Sequence, residues 1–186
     1  MGDTLILNAD GMPLSVVPLS TLTWQESVKQ VFTGAAAIMA EYEDWDVHSP
    51  SITMTVPSVL MLNEYVKASR GVKFSRVNVL LRDRFQCQYC DLDAKHEHGL
   101  LTLDHVVARF HGGKTRWDNV VAACGPCNLE KAHFTKMKPR NAPVKPDYYS
   151  LVAKRMAMPI VVPHESWKDF LGWDPDLVTV RPHKRK

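Results

Sequence analysis

The chain contains four cysteines, and they fall as two pairs, Cys87-Gln88-Tyr89-Cys90 and Cys124-Gly125-Pro126-Cys127, with 33 residues between them. Two residues between thiolates let both sulfurs of a pair reach one ion, and two such pairs complete a tetrahedral four-sulfur Zn²⁺ site with no open position. A site without an open position is structural. Four cysteines in 186 residues are too few for a disulfide scaffold, so reduced thiolates are expected. The plainer reading is four unrelated buried or redox-active cysteines. The spacer is longer than a compact zinc ribbon needs, so something must be built inside it.

Inside the spacer, Asp104-His105 is the pair with the most to offer a reaction. A carboxylate suits a hard ion of the Mg²⁺ kind, which takes oxygen ligands and retains water. An imidazole that titrates near neutrality suits deprotonation of an attacking water. Together they supply both halves of phosphodiester hydrolysis. Neighbours on a regular strand point to opposite faces, so both can serve one phosphate only where the strand bends or ends. Failing that, the pair reads as a structural histidine beside an acid.

The elements that must hold these groups are legible around them. Leu100 to Ala123 reads as a strand, a long loop that turns on Gly112-Gly113, and a second strand that runs into the second cysteine pair. Pro126 suits the first turn of a helix, so Cys127 to Phe134 is expected to be helical and to pack on that hairpin. The result is a ββα unit clamped by zinc at its base. With Cys127 on the metal, the ion would fix the position and direction of Asn128. Lys131 shares the helix face of Asn128 and is expected to contact a backbone phosphate, as are Arg109, Lys114 and Arg116 on the loop. Arg82 and Arg84 would line the same basic surface. His111 and His133 read as exposed histidines without a catalytic role, and Trp117 as a packing residue under the loop.

The order Cys-x-x-Cys, Leu-Asp-His, Gly-Gly, Trp-Asp-Asn, Cys-x-x-Cys-Asn and Lys over residues 82–134 resembles the HNH endonucleases of the His-Me finger (ββα-metal) superfamily, especially the bacterial and phage proteins with a four-cysteine zinc site. Residues 1–70 are similar to the N-terminal part of uncharacterised proteins of that group. The resemblance implies hydrolysis of DNA phosphodiester bonds, by nicking or by double-strand cleavage, leaving 3′-hydroxyl and 5′-phosphate ends. It makes His105 the general base, Asp104 the first ligand of a catalytic Mg²⁺ or Mn²⁺, and Asn128 the second. Asn119 matches the middle residue, which steadies the loop and orients the base. At the last position the family's name calls for His and this chain has Asn. An amide oxygen is still a hard neutral ligand, so the departure bears on which ion is preferred.

Charge is unevenly spread along the chain. Residues 1–66 carry one basic residue, Lys29, against eight acidic ones, whereas residues 67–140 carry 14 Lys and Arg against seven Asp and Glu. A basic middle suggests a polyanionic partner, most simply nucleic acid, although a solvated basic face explains the charge equally well; the partner the resemblance implies is DNA, expected to be duplex. The alternative function is a zinc-stabilised nucleic-acid-binding module, or a phage packaging or assembly component, without autonomous cleavage. There is no run of 18 uncharged apolar residues and no basic, apolar leader. A soluble, cytoplasmic protein of a bacterial or phage-infected cell is therefore expected, with no membrane partner. The oligomeric state is open, a homodimer included.

The expected fold is α+β, a ββα-metal (His-Me finger) nuclease unit with a structural four-cysteine zinc site, preceded by a small mixed α/β N-terminal region. Three parts are expected: residues 1–66, the mixed α/β region; residues 67–140, the zinc-stabilised nuclease domain; and residues 141–186, a Pro-containing arm with a basic tail. In the first, a hairpin about Asp10-Gly11 joins strands at Leu5–Leu7 and Leu14–Val17, a helix over 21–33 follows an N-cap at Ser20, and strands cover 35–42 and 52–56. In the last, residues 147–156 are expected to be helical, and Trp167, Phe170 and Trp173 to pack back on the body.

Overall fold

A computed structural model describes residues 2–67, 70–95, 97–134 and 136–182. Of the basic C-terminal run, residues 183–186 lie outside the described residues. The chain forms two compact units, one of residues 70–155 and one assembled from both flanks, 1–69 and 156–186. The boundary expected at 140 falls instead at 155, because Ile160 to Val178 contribute to the core of the first unit.

In that first unit, β1 (Thr4–Leu7) is fully buried and pairs antiparallel with β2 (Thr21–Leu22). After α1 (Trp24–Phe32), the long β3 (Ala36–His48) and β4 (Thr53–Leu62) form an antiparallel pair, and β4 lies parallel to β1, giving the order β2-β1-β4-β3. The turn around Gly11 is present, with φ 78°, but Leu14–Val17 is not a strand. Both edges of β1 are taken by β2 and β4, and the segment makes only single bridges, Leu7 to Pro13 and Val16 to Leu19. The helix begins after Thr23 and not after Ser20. Thr23 and Glu26 cap each other reciprocally, Thr23 N donating to Glu26 at 2.8 Å. The Thr-x-x-Glu spacing announces that box in the sequence itself.

The second unit opens with α2 (Arg76–Arg82), capped by Ser75. The expected ββα follows: β5 (Leu101–His105) runs antiparallel to β6 (Val120–Cys124), and α3 (Gly125–Lys131) continues directly from β6 with Pro126 in its first turn. The helix stops short of Phe134 because Ala132 takes a positive φ of 46°. Arg82 does not line a surface. It is buried, pairs with Asp83 at 2.7 Å, and donates to the carbonyls of Trp117 and Val120 at 2.9 and 2.7 Å, bracing the hairpin. The proline-containing stretch after α3 has no regular element, yet it is no free arm. Arg140 N donates to Gln88 O at 2.8 Å, and its guanidinium donates to Cys87 O and to Asp91, both at 2.6 Å. The unit closes with α4 (Tyr148–Met156).

The loop between β5 and β6 turns on its two glycines for different reasons. Gly112 sits at φ 80°, and a Cβ on Gly113 would lie 1.7 Å from Val107 O. Gly113→Ala is therefore expected to destabilise the second unit by about 1–3 kcal/mol, since rigid backbone must move to admit the methyl group. Gly99→Ala, where nothing stands within 4 Å, should change urea unfolding far less.

Beyond α4 the chain returns to the first unit. There β7 (Ile160–Val162) pairs in parallel with β8 (Val178–Val180), with α5 (Lys168–Leu171) between them. Trp167 is fully buried and donates its indole N–H to Ser58 O at 2.8 Å. Together with Ile160, Val162, Leu171 and Trp173 it covers Leu5, Leu7 and Val59, and Phe170 packs against the same cluster.

Candidate active site and metal cluster

The two cysteine pairs meet in the second unit. Cys87 and Cys90 follow α2 in a tight turn, Cys124 ends β6 and caps α3, and Cys127 lies in the first turn of α3. All four sulfurs lie within 4.8 Å of one another, with Cys90 and Cys124 3.8 Å apart. Sulfurs at about 2.3 Å from a tetrahedral zinc are separated by about 3.8 Å, so the donor set fits a metal such as zinc. Backbone amides already favour thiolate: Cys87 Sγ accepts from Cys124 N at 3.3 Å and Tyr89 N at 3.4 Å. Burial pushes the Cys87 thiol up, but these N–H groups outweigh it and bring the pKa to about 7. For Cys127 burial prevails and the pKa is raised.

Asp104 and His105 are the last two residues of β5, and the alternation of the strand sends them different ways. Asp104 faces inward and is 5 % exposed. The Tyr89 hydroxyl donates to its Oδ2 at 2.6 Å, and Lys131 Nζ lies 3.0 Å from the same oxygen. The Lys131 ammonium, wholly buried, also donates to His105 O at 2.8 Å. Burial first, and then the hydrogen bond to Asp104, hold the Tyr89 pKa well above the usual phenol range, so the hydroxyl stays a donor.

His105 points toward the loop, its Nε2 2.8 Å from Thr115 Oγ1. Burial lowers its pKa, and the nearby charge of Arg109 lowers it further, which keeps the ring in the neutral, proton-accepting form at neutral pH. The strand ends at this residue, and so the condition set by strand geometry is met. Asn119 ties the loop behind it. Its Nδ2 donates to the carbonyls of Val107 and Lys114, both at 3.0 Å, and its Oδ1 accepts from Val107 N at 2.8 Å.

Asn128 donates from Nδ2 to Thr102 Oγ1 at 3.1 Å. Thr102 precedes Asp104 by two and shares its face of β5, so α3 lays Asn128 and Lys131 along the strand face that carries Asp104. The Asn128 Oδ1 accepts no hydrogen bond among the described residues. One carboxylate and one amide oxygen are the hard donors a divalent ion of the Mg²⁺ kind takes, with water and phosphate completing its shell. A carboxylate has about four acceptor positions, so Tyr89 and Lys131 do not exhaust Asp104.

The expected phosphate contacts divide. Arg109 and Lys114 are exposed on the loop. Arg116 is exposed too and pairs with Asp118 at 2.6 Å, a solvent-screened surface pair that a phosphate could replace. Lys131 differs from its expected part: its ammonium is buried against Asp104 and is not presented to a backbone phosphate. Trp117 packs as expected, edge-on to Phe74 at 5.2 Å and beneath the Arg82 guanidinium. Two residues escape the sequence reading, Tyr89 and Thr115. Tyr89 lies inside the first cysteine pair, and that position between two ligands was its available signal; Thr115 has none.

Among the described residues no helix is long and apolar enough to cross a membrane. Residues 87–142 match the family model described as HNH endonuclease, and residues 4–70 match the model described as HNH endonuclease-associated, N-terminal domain. No curated protein and no solved structure matches the chain.

Proposed function

For a protein that carries an HNH endonuclease domain behind an HNH endonuclease-associated N-terminal domain, we propose metal-dependent hydrolysis of DNA phosphodiester bonds at His105 and Asp104. The observation behind this reading is the end of β5, where a neutral histidine steadied by Thr115 adjoins a buried carboxylate. With Nε2 on Thr115, Nδ1 is the atom left to take a proton from the attacking water. Asn119 keeps the loop closed so that Thr115, and through it the imidazole, stays in place. Tyr89 and Lys131 fix the direction of the Asp104 carboxylate.

Asp104 and Asn128 would hold a Mg²⁺ or Mn²⁺ ion, which when bound supplies charge stabilisation at the scissile phosphate and the leaving 3′ oxygen. Zinc in the four-cysteine cluster is structural and sets the start of α3. Arg109, Lys114 and Arg116 draw in the phosphate backbone. The second unit as a whole suits that partner, with 16 Lys and Arg against eight Asp and Glu.

The test is conversion of supercoiled plasmid by the zinc-loaded protein with Mg²⁺, Mn²⁺ or neither, beside His105→Ala. Nicked or linear DNA should form only with the divalent ion, and the variant should be slower by at least about 10²-fold, the lower range for loss of a general base. DNA retention in a gel shift with no cleavage under any ion would instead support a binding module.

A further inference from the structure

Four aromatic side chains stand uncovered beside the elements that carry the site. Phe110 lies on the 3-10 turn Arg109–His111 and is 83 % exposed; Phe134, just past α3, is 56 % exposed. His111 and His133 are exposed between them. Ring centroids are 5.1 Å apart for Phe110 and His111, 5.9 Å for Phe110 and His133, and 4.3 Å for His133 and Phe134. Two separate segments thus contribute to one continuous ring surface. One segment follows His105 by a few residues, and the other continues from the helix that holds Asn128.

Packing does not account for this surface. Phenylalanine stabilises a fold by leaving water, and these rings remain in it. A contiguous exposed apolar patch rimmed by polar groups marks a binding surface. Cations border it: Arg109 precedes Phe110 in the chain, and Lys136 lines one shallow pocket with Phe134, beside Glu130. The 3-10 turn that carries Arg109 and Phe110 begins four residues after His105, at the end of β5. Rings interleaved with Lys and Arg match a nucleic-acid strand whose bases are unstacked, the rings taking base faces and the cations taking phosphates. A paired duplex keeps its base faces hidden within the stack.

We propose that Phe110, His111, His133 and Phe134 form a stacking platform for unpaired bases next to the scissile phosphate, so that the preferred DNA has single-stranded character at the cut. The proposal rests on the nuclease reading and names a feature of its substrate.

Binding alone tests it, in the full-length chain with His105→Ala to prevent cleavage. The probes are a fluorescein-labelled single-stranded DNA, the same strand with abasic sites, and its duplex, followed by fluorescence anisotropy. The single strand should bind tighter than the abasic strand. Phe110→Ala and Phe110→Leu should weaken the intact strand by about 5- to 150-fold, the range for loss of one base–aromatic stack, and leave the abasic strand unchanged. Phe110→Tyr should restore affinity. Equal affinity of Phe110→Leu and its parent for the intact strand would overturn the platform while leaving the nuclease reading intact. So would equal weakening of both strands, or a change of sedimentation coefficient showing that a second copy covers the rings. Failure of the parent to bind any of the three DNAs at low salt would overturn both.

Discussion

Stripping the metal from Cys87, Cys90, Cys124 and Cys127 is expected to unfold the second unit while the first stays folded. The cluster joins the segment after α2 to the end of β6 and the start of α3, and β5 with Asp104 and His105 is held by pairing with β6. Cys124 joins β6 to α3 and caps the helix that bears Asn128 and Lys131, and Cys87 receives the amide of Cys124 across the hairpin. Arg140 secures the far side by binding Cys87 O. Structural zinc contributes about 10–16 kcal/mol to folding in small metal-dependent domains, against about 5–15 kcal/mol for the whole stability of a domain. Metal analysis should give one zinc per chain, and hydrogen exchange after chelation should show Leu101–His105, Val120–Cys124 and α3 losing protection together. The buried amides of β1 and β4 should keep theirs. Unchanged protection of β5 and β6 after complete zinc removal would show that the unit stands without it.

Lys131→Met is expected to cost the second unit about 3–5 kcal/mol, the penalty for leaving one partner of a buried ion pair alone. The ammonium is wholly enclosed, 3.0 Å from Asp104 and 2.8 Å from His105 O. Without it, Asp104 retains only the Tyr89 hydroxyl for its buried charge. A loss of that size lowers the melting temperature of a unit this small by well over about 10 °C. Adding Asp104→Asn should recover much of the stability, because the charge that needed Lys131 is then gone, and a double-mutant cycle measures the coupling. A melting temperature within a degree or two of the parent would mean that water solvates Asp104 and that the pair is dispensable.

The parts legible in the sequence were those with local causes. Two C-x-x-C pairs must converge if they share an ion, and Pro126 is suited to the first turn of the helix that begins there. Asp104 and His105 stand out by residue type, but Val106 and Val107 follow them without a turn signal, so the strand end at His105 is seen only in the structure. The parts that escaped depend on distant neighbours. Spacing puts Lys131 on the face of Asn128, but only the hairpin beneath α3 turns that face inward and converts a phosphate contact into a buried ion pair. Arg82 changes from surface to interior for the same reason, its partners being carbonyls about 35 residues away. Phe110 and Phe134 are apolar, and no periodicity distinguishes a ring left in water from one that is covered. Trp167, Phe170 and Trp173 do pack back on the body as their apolar rings suggested, but that the strands they cover are β1 and β4 follows only from contacts distant in the chain.

The way the first unit is stitched from both flanks has a consequence for the order of events during synthesis. The second unit is complete once Arg155 has left the ribosome, and its hairpin contacts close over short separations, which favours rapid folding. Strand β1 is made first, yet part of its covering layer is made last: the indole of Trp167 meets Ser58 across 109 residues. Until then Leu5, Leu7 and Val59 belong to an incomplete sheet, a surface prone to aggregation in nascent chains. A chain released early by a premature stop codon near residue 158 would therefore possess the finished second unit and still be a target for chaperones and proteases, through the uncovered strands β1 and β4.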